Sequence, residues 1–293
     1  MYKKLLDGIN FLHVGNLSNF ENPLFVDKGF VRHSVPGTLS FVGAIWLTYI
    51  VFVRYYRSLL VRPGSFKNSL MFVSKTRTPT VLYALILFPL IGIFVELCFE
   101  DLEWATSNLH HLSMFAPFEL VFVLILLRIR NWKIPEGVEY LLFAISFASL
   151  GILFYFHLER SEFDLSIHTH LCYIIIGVVV STLFELAHPK SILAALTRCF
   201  FIIANGSYFF VAAELLHPVF PNKLGSFDEG SEEMIKLVPI CFAWSLIFSL
   251  AVLVCIGSFQ FRKFQKLKED QIHYLIIDNA CALAEEELLN KHY

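Results

Sequence analysis

The sequence predicts an all-α integral membrane protein, a bundle of seven transmembrane helices with its N-terminus exterior or lumenal and its C-terminus cytosolic. Composition, seven apolar stretches and alternating loop charges support this fold class. Of the 293 residues, 56% are hydrophobic and 16% are charged, whereas soluble chains carry roughly 25% charged residues. A helix needs roughly 20 apolar residues to cross a hydrocarbon core about 30 Å thick. Seven such helices leave only short loops between them.

The seven predicted spans follow one another along most of the chain. They are residues 37–56, 81–99, 109–127, 138–157, 168–187, 193–216 and 236–259. None alternates with a period of two, which excludes a β-barrel. Backbone polar groups in lipid must be hydrogen-bonded within their own segment, so the spans are predicted to be helices. These bounds divide the chain into an exterior N-terminal segment (1–36), a seven-helix transmembrane domain (37–259) and a cytosolic tail (260–293).

The charges of the loops predict the orientation. Basic residues gather after the first, third and last spans, at Arg57, Arg62, Lys67, Lys75 and Arg77, at Arg128, Arg130 and Lys133, and at Arg262, Lys263, Lys266 and Lys268. The positive-inside rule places these regions in the cytosol. The second and sixth loops carry acidic residues instead, at Glu100, Asp101, Glu103, Asp228, Glu229, Glu232 and Glu233, and are expected outside.

The composition also excludes some functions and partners. A net charge of -2 argues against nucleic-acid binding, which needs a basic footprint. Most of the six cysteines lie inside apolar spans and form no CxxC motif, so we interpret them as packing residues rather than thiolate ligands. The expected partners are the lipid bilayer and a lipid ligand, in the plasma membrane or in the Golgi, endosomes or lysosomes. The oligomeric state stays open.

Polar residues concentrate at the predicted exterior ends of the helices. Seven of the eleven histidines lie there, namely His33, His110, His111, His157, His168, His170 and His217, together with the carboxylates of Glu96, Asp164 and Glu214. Ionisable residues at membrane depth are costly and indicate a functional site. Glu119 and Glu185 lie deeper inside spans, where they are expected to face the bundle interior.

Three interpretations of this polar layer are open, one of which is a pH sensor or another role that uses histidine titration. Neutral imidazoles bind zinc, and a carboxylate orients such ligands, so His111, His157 and His168 with Asp164 or Glu214 are candidates for a metal site that activates water. Alternatively, the same residues pack against one another between helices without a metal. His33, Glu119, Glu185 and His217 are further candidate members of either arrangement.

Several short motifs resemble those of a known family in order and placement. They are His33-Ser34-Val35-Pro36-Gly37, His111-Leu112-Ser113-Met114, Asp164 with His168, Glu185, Gly206-Ser207-Tyr208-Phe209-Phe210 and Cys241-Phe242-Ala243-Trp244. Together they resemble the transmembrane protein 45 family, a multi-pass group of unassigned activity. The resemblance covers about residues 31–260 and implies the seven-span fold but no particular reaction. At His157-Leu158-Glu159-Arg160 the chain departs from a family stretch with a second histidine and a glycine.

The leading functional hypothesis is therefore a multi-pass membrane protein of uncharacterised activity, not an enzyme and without a cofactor. The first alternative is a zinc-dependent hydrolase that acts on a lipid. The second is a receptor or transporter, although Leu127-Arg128-Ile129-Arg130 stands where G-protein-coupled receptors carry Asp-Arg-Tyr.

Overall fold

The structure of the protein is a computed structural model. The structure describes residues 28–61, 64–70, 87, 90–91, 93–94, 106–156, 161–218 and 231–291, with the backbone alone at 28, 106–108, 111 and 271–291. Across these ranges the fold is all-α, as predicted. Its six helices are α1 (Lys28–Val61), α2 (Thr106–Ile129), α3 (Val138–Phe156), α4 (Glu162–Ala187), α5 (Ile192–Leu216) and α6 (Glu232–Lys291).

All six helices are long and apolar enough to cross a membrane. They correspond to six of the seven predicted spans. The remaining span, 81–99, lies outside the described residues except at 87, 90–91 and 93–94. The described part of the chain therefore supports a multi-pass membrane protein with six spans, while the seventh span and the orientation stay predictions.

Three helices extend by six residues or more beyond one end of their predicted spans. Helix α1 begins at Lys28 and includes Pro36, and α6 continues as one helix to Lys291 instead of ending near residue 259. Helix α4 begins at Glu162, where the Ser161 hydroxyl accepts a hydrogen bond from the Asp164 amide (3.3 Å). Ser161 is thus the N-cap, and Asp164 lies in the first turn.

Helix α5 is the most deeply buried of the six described helices and packs against α1, α4 and α6. Its contact with α1 is made through glycines. A Cβ on Gly206 would lie 2.5 Å from the Phe41 amide nitrogen, and one on Gly37 would lie 2.8 Å from Phe209 Cβ. Small residues allow helix backbones in membranes to approach closely. Two of the motifs noted in the sequence therefore meet at this crossing.

Helix α2 packs against α3. Among the described residues, the backbones of α1 and α2 do not approach each other closely. Both helices instead border a cavity whose other walls come from α3, α4 and α5.

Candidate functional site

The cavity has a volume of about 410 Å³ and a largely apolar, aromatic lining. Helices α2 and α3 contribute Met114, Phe115, Phe118, Val121, Phe122, Ile125, Phe143, Phe147, Leu150 and Phe154, and α1 and α5 contribute Leu39, Ala44, Trp46, Leu47, Ile202 and Phe209. Leu70, in the loop after α1, also lines it. The chemistry of the wall is that of a site for a hydrocarbon group.

One end of the cavity is polar and holds three histidines. The ring centroid of His33 lies 6.1 Å from that of His168 and 5.6 Å from that of His217. Arg32 lines the same end. A Cβ on Gly29 would collide with the His217 ring, so the glycine is what allows the imidazole to pack against α1.

A carboxylate orients one of these histidines. The His168 Nδ1 lies 3.1 Å from Asp164 Oδ1 and 3.0 Å from the Asp164 carbonyl oxygen, and both residues are buried. Because a carboxylate only accepts hydrogen bonds, this contact favours the tautomer with the proton on Nδ1. Nε2 then carries the lone pair.

The predicted metal triad is only partly described. His168 lies at the polar end of the cavity, but the side chain of His111 and all of His157 lie outside the described residues. Within the described ranges, no three histidine, cysteine or acidic side chains converge in a metal-binding arrangement. What the structure does bring together is His168, His33 and His217, from α4, α1 and the end of α5.

A second polar group faces the cavity at greater depth. The Asn205 side-chain nitrogen donates to the Ser40 hydroxyl (3.1 Å), and both residues line the cavity. The side-chain amide oxygen of Asn205 (Oδ1) is buried and accepts no hydrogen bond from the described residues. A buried acceptor of this kind costs free energy unless a donor satisfies it.

The other two candidate carboxylates on α2 and α5 do not line the cavity. Glu119 is partly buried on α2, and its Oε2 has no hydrogen-bond partner within the described ranges. Glu214 lies on α5 three residues before His217, also partly buried. Neither is among the residues that line the cavity.

Glu185 belongs to a separate buried network at the opposite end of the bundle. Its Oε2 accepts a hydrogen bond from Arg198 Nε (2.5 Å), and its Oε1 accepts from the Tyr140 hydroxyl (2.9 Å) and from Asn68 Nδ2. Glu185 is 0% exposed and Arg198 is 1% exposed. The buried charge is therefore compensated by a cation and two further donors.

The sequence did not lead us to predict Arg198, Asn68 or Tyr140 as partners of Glu185. The available signal was a pair of opposite charges, Glu185 and Arg198, on either side of a tight turn between two apolar helices. Helices separated by so short a turn are antiparallel neighbours. Their facing ends can therefore bring the two charges together.

This network also attaches the loop after α1 to the bundle. The backbone N–H of Asn68 donates to the Pro189 carbonyl oxygen (2.8 Å). The Glu139 carboxylate accepts hydrogen bonds from the Arg128 guanidinium (2.9 Å) and from the Ser69 hydroxyl (3.4 Å). At the surface, Lys67 lies 3.0 Å from Glu136. Its hydrogen bond and positive charge lower the pKa of the Glu136 carboxyl.

The chain was also compared with known protein families. Residues 136–257 match DUF716, a family of unknown function. The part that matches DUF716 runs from the loop before α3 into α6. It therefore contains His168 and His217 of the histidine cluster and Glu185 and Arg198 of the buried network. With the six apolar helices, the DUF716 match supports a multi-pass membrane protein of uncharacterised activity.

Proposed function

We propose that this protein binds an amphipathic lipid in the cavity between α1, α2, α3 and α5. The hydrocarbon part lies against the aromatic wall, and the head group lies at Arg32, His33, His168 and His217. The observation that carries the proposal is the segregation of the lining, polar at one end and apolar along most of its length.

The dimensions of the cavity suit a lipid with one chain. A volume of about 410 Å³ falls within the range of roughly 300–1,000 Å³ that is typical of ligand pockets. From His33 to Leu47 the cavity follows α1 for roughly 21 Å at about 1.5 Å per residue. That length is about two thirds of a hydrocarbon core about 30 Å thick.

The charges at the polar end favour an anionic or hydrogen-bond-accepting head group. Arg32 contributes a permanent cation, and the carboxylate of Asp164 is engaged by His168. Arginine is well suited to carboxylate and phosphate groups. A fatty-acid carboxylate or a lysophospholipid phosphate has this chemistry.

The predicted orientation assigns the head group to a leaflet. The basic loops are expected in the cytosol, so the histidine cluster is expected at the exterior or lumenal face. We further propose that the chain is a member of the transmembrane protein 45 family, because the DUF716 match covers four of the six motifs on which that resemblance depends, at Asp164 with His168, at Glu185, at Gly206 and at Cys241.

Photo-crosslinking of the protein in phosphatidylcholine vesicles with a diazirine-bearing fatty acid tests the proposal. We expect labelling of α2 or α3 in the wild type, because their aromatic residues surround the chain. Leu39→Trp should abolish most of the labelling, since Leu39 lines the cavity and the larger side chain would occupy the space of the ligand.

Val42→Trp is the matched control, because Val42 is on the same helix but 57% exposed and outside the cavity. The diazirine-bearing fatty acid should label this variant as strongly as it labels the wild type. Equal labelling of the two tryptophan variants, or labelling confined to lipid-facing positions, would contradict the proposal.

A zinc-dependent hydrolase is a second candidate, and one observation favours it. Histidine ligands of metals almost always donate their other ring N–H to a carboxylate or similar acceptor, as His168 does to Asp164.

The hydrolase hypothesis requires a bound zinc ion with an open coordination position for water. It therefore predicts about one zinc ion per chain by elemental analysis, with loss in His168→Ala and retention in His188→Ala, a histidine at the opposite end of α4. The wild-type protein would be purified without chelators for this measurement. If it contains no zinc but is folded and is still labelled by the diazirine-bearing fatty acid, the hydrolase hypothesis is wrong.

A further inference from the structure

A second groove lies between α1 and α6, away from the cavity. It has a volume of about 530 Å³ and is lined by Phe52, Tyr56, Leu253, Val254, Gly257, Ser258, Phe261 and Arg262. None of these residues lines the cavity that contains the histidine cluster. The groove is therefore a separate feature whose role does not depend on the proposed cavity ligand.

The floor of the groove is apolar and depends on a glycine. A Cβ on Gly257 would lie 2.8 Å from Phe52 Cζ, so the absence of a side chain there leaves room for the Phe52 ring. Val254 is 55% exposed on the rim. At about 1.5 Å per residue, Val254 and Arg262 are roughly 12 Å apart along α6. A hydrocarbon chain can therefore lie along the groove below Arg262.

Aromatic residues mark the end of the groove at the membrane boundary. Tyr56 stacks on Phe264, with ring centroids 5.0 Å apart, and its ring centroid lies 6.1 Å from that of Phe261. Tyrosine is enriched at the head-group level of membranes. This preference supports a position at head-group depth for the neighbouring Arg262.

Basic residues carry the charge at this end of the groove. Arg262 lines the groove, and the exposed Lys266 and Lys268 follow within two helical turns. Residues 28–61 of α1 and 234–268 of α6 contain no acidic residue, and Glu269 and Asp270 follow directly after Lys268, about two turns beyond Arg262. Clusters of basic residues beside a membrane span bind anionic lipid head groups.

We propose that the groove between α1 and α6 binds one anionic phospholipid. Arg262 binds the phosphate with its guanidinium group, and Lys266 and Lys268 add to the positive field. One acyl chain lies against Phe52, Val254 and Gly257. The predicted orientation assigns this lipid to the cytosolic leaflet, where the anionic lipids concentrate.

Native mass spectrometry of the protein released from nanodiscs of equimolar phosphatidylcholine and phosphatidylserine tests this site. The wild type should retain one phosphatidylserine in preference to phosphatidylcholine. Arg262→Gln should weaken that preference about fivefold, the effect expected for one basic residue near a membrane surface. Ser258→Trp should also remove the bound lipid, because it fills the exposed groove without changing the charge.

Two variants serve as matched controls. Lys263→Gln removes the same charge at the adjacent position, which does not line the groove, and Cys255→Trp adds the same side chain at an exposed position outside it. Both should retain the lipid. If Lys263→Gln and Arg262→Gln lose the bound phosphatidylserine equally, the lipid is held by the general positive charge of the surface and not by the groove.

Glycerophosphoserine, which has the head group without chains, distinguishes a lipid site from a phosphate site. It should not displace the bound phosphatidylserine, because the acyl chain contributes through the apolar floor. Full displacement by glycerophosphoserine, or equal retention of both phospholipids by the wild type, would overturn the proposal.

Discussion

Arg198→Met is expected to destabilise the protein by about 3–5 kcal/mol, the usual cost of removing one partner from a buried ion pair. The Glu185 carboxylate would keep its hydrogen bonds from Tyr140 and Asn68 but lose its only basic hydrogen-bond partner in the described chain. Because Glu185 is fully buried, water cannot replace the guanidinium. Thermal unfolding in detergent micelles would measure the loss.

The double variant Glu185→Gln with Arg198→Met provides the internal check. A neutral glutamine retains an oxygen that accepts from Tyr140 and Asn68, while no charge is left buried. The double variant should therefore be more stable than Arg198→Met alone. A double variant that is less stable than the single one would show that the effect of Arg198 is packing and not charge compensation.

An exposed ion pair in the same chain serves as the comparison. Lys236 and Glu232 lie 2.8 Å apart on α6, with side chains that are 71% and 86% exposed. Surface pairs of this kind contribute about 0–1 kcal/mol. Lys236→Met should therefore change the unfolding midpoint little, and a loss as large as that of Arg198→Met would contradict the role assigned to burial.

The sequence predicted which segments form helices better than it predicted the residues at which those helices begin and end. Hydropathy locates the apolar spans, but it does not detect helical turns made of polar residues. At the start of α1, His33 Nδ1 contacts the Gly29 carbonyl (2.9 Å) within a turn that hydropathy excludes. At α4, the Ser161 cap begins the helix six residues before the predicted span. Hydrogen bonding, and not apolar composition, determines these boundaries.

The histidine layer was predicted, but its partners depend on helix packing. The prediction combined His111, His157 and His168, because consecutive spans were expected to be neighbours. In the structure, α1 packs against α5, which brings His33 to His217 across a large separation in sequence. No local pattern encodes this pairing. The close approach at Gly206 determines it, and this contact involves the backbone of both helices.

Gly206→Ala is expected to destabilise the bundle by about 3 kcal/mol, near the upper end of the typical cost of overpacking. The new methyl group would lie 2.5 Å from the Phe41 amide nitrogen and 2.7 Å from Phe41 Cα. These are backbone atoms, so no rotamer change relieves the clash. Helices α1 and α5 would have to separate, which should also weaken the Asn205–Ser40 hydrogen bond and displace His33 from His217.

Gly151→Ala on α3 is the control for this prediction. Its added methyl group would lie 3.0 Å from Ile175 Cγ2, the end of a side chain that can shift. The expected loss is therefore smaller, and thermal unfolding of both variants in the same detergent would compare them. Fatty-acid labelling of the cavity should fall in Gly206→Ala and persist in Gly151→Ala, because only the first changes the position of α1 relative to the cavity. Equal stability of the two variants would mean that α1 and α5 tolerate separation, and the close helix crossing would then not be what holds the histidine cluster together.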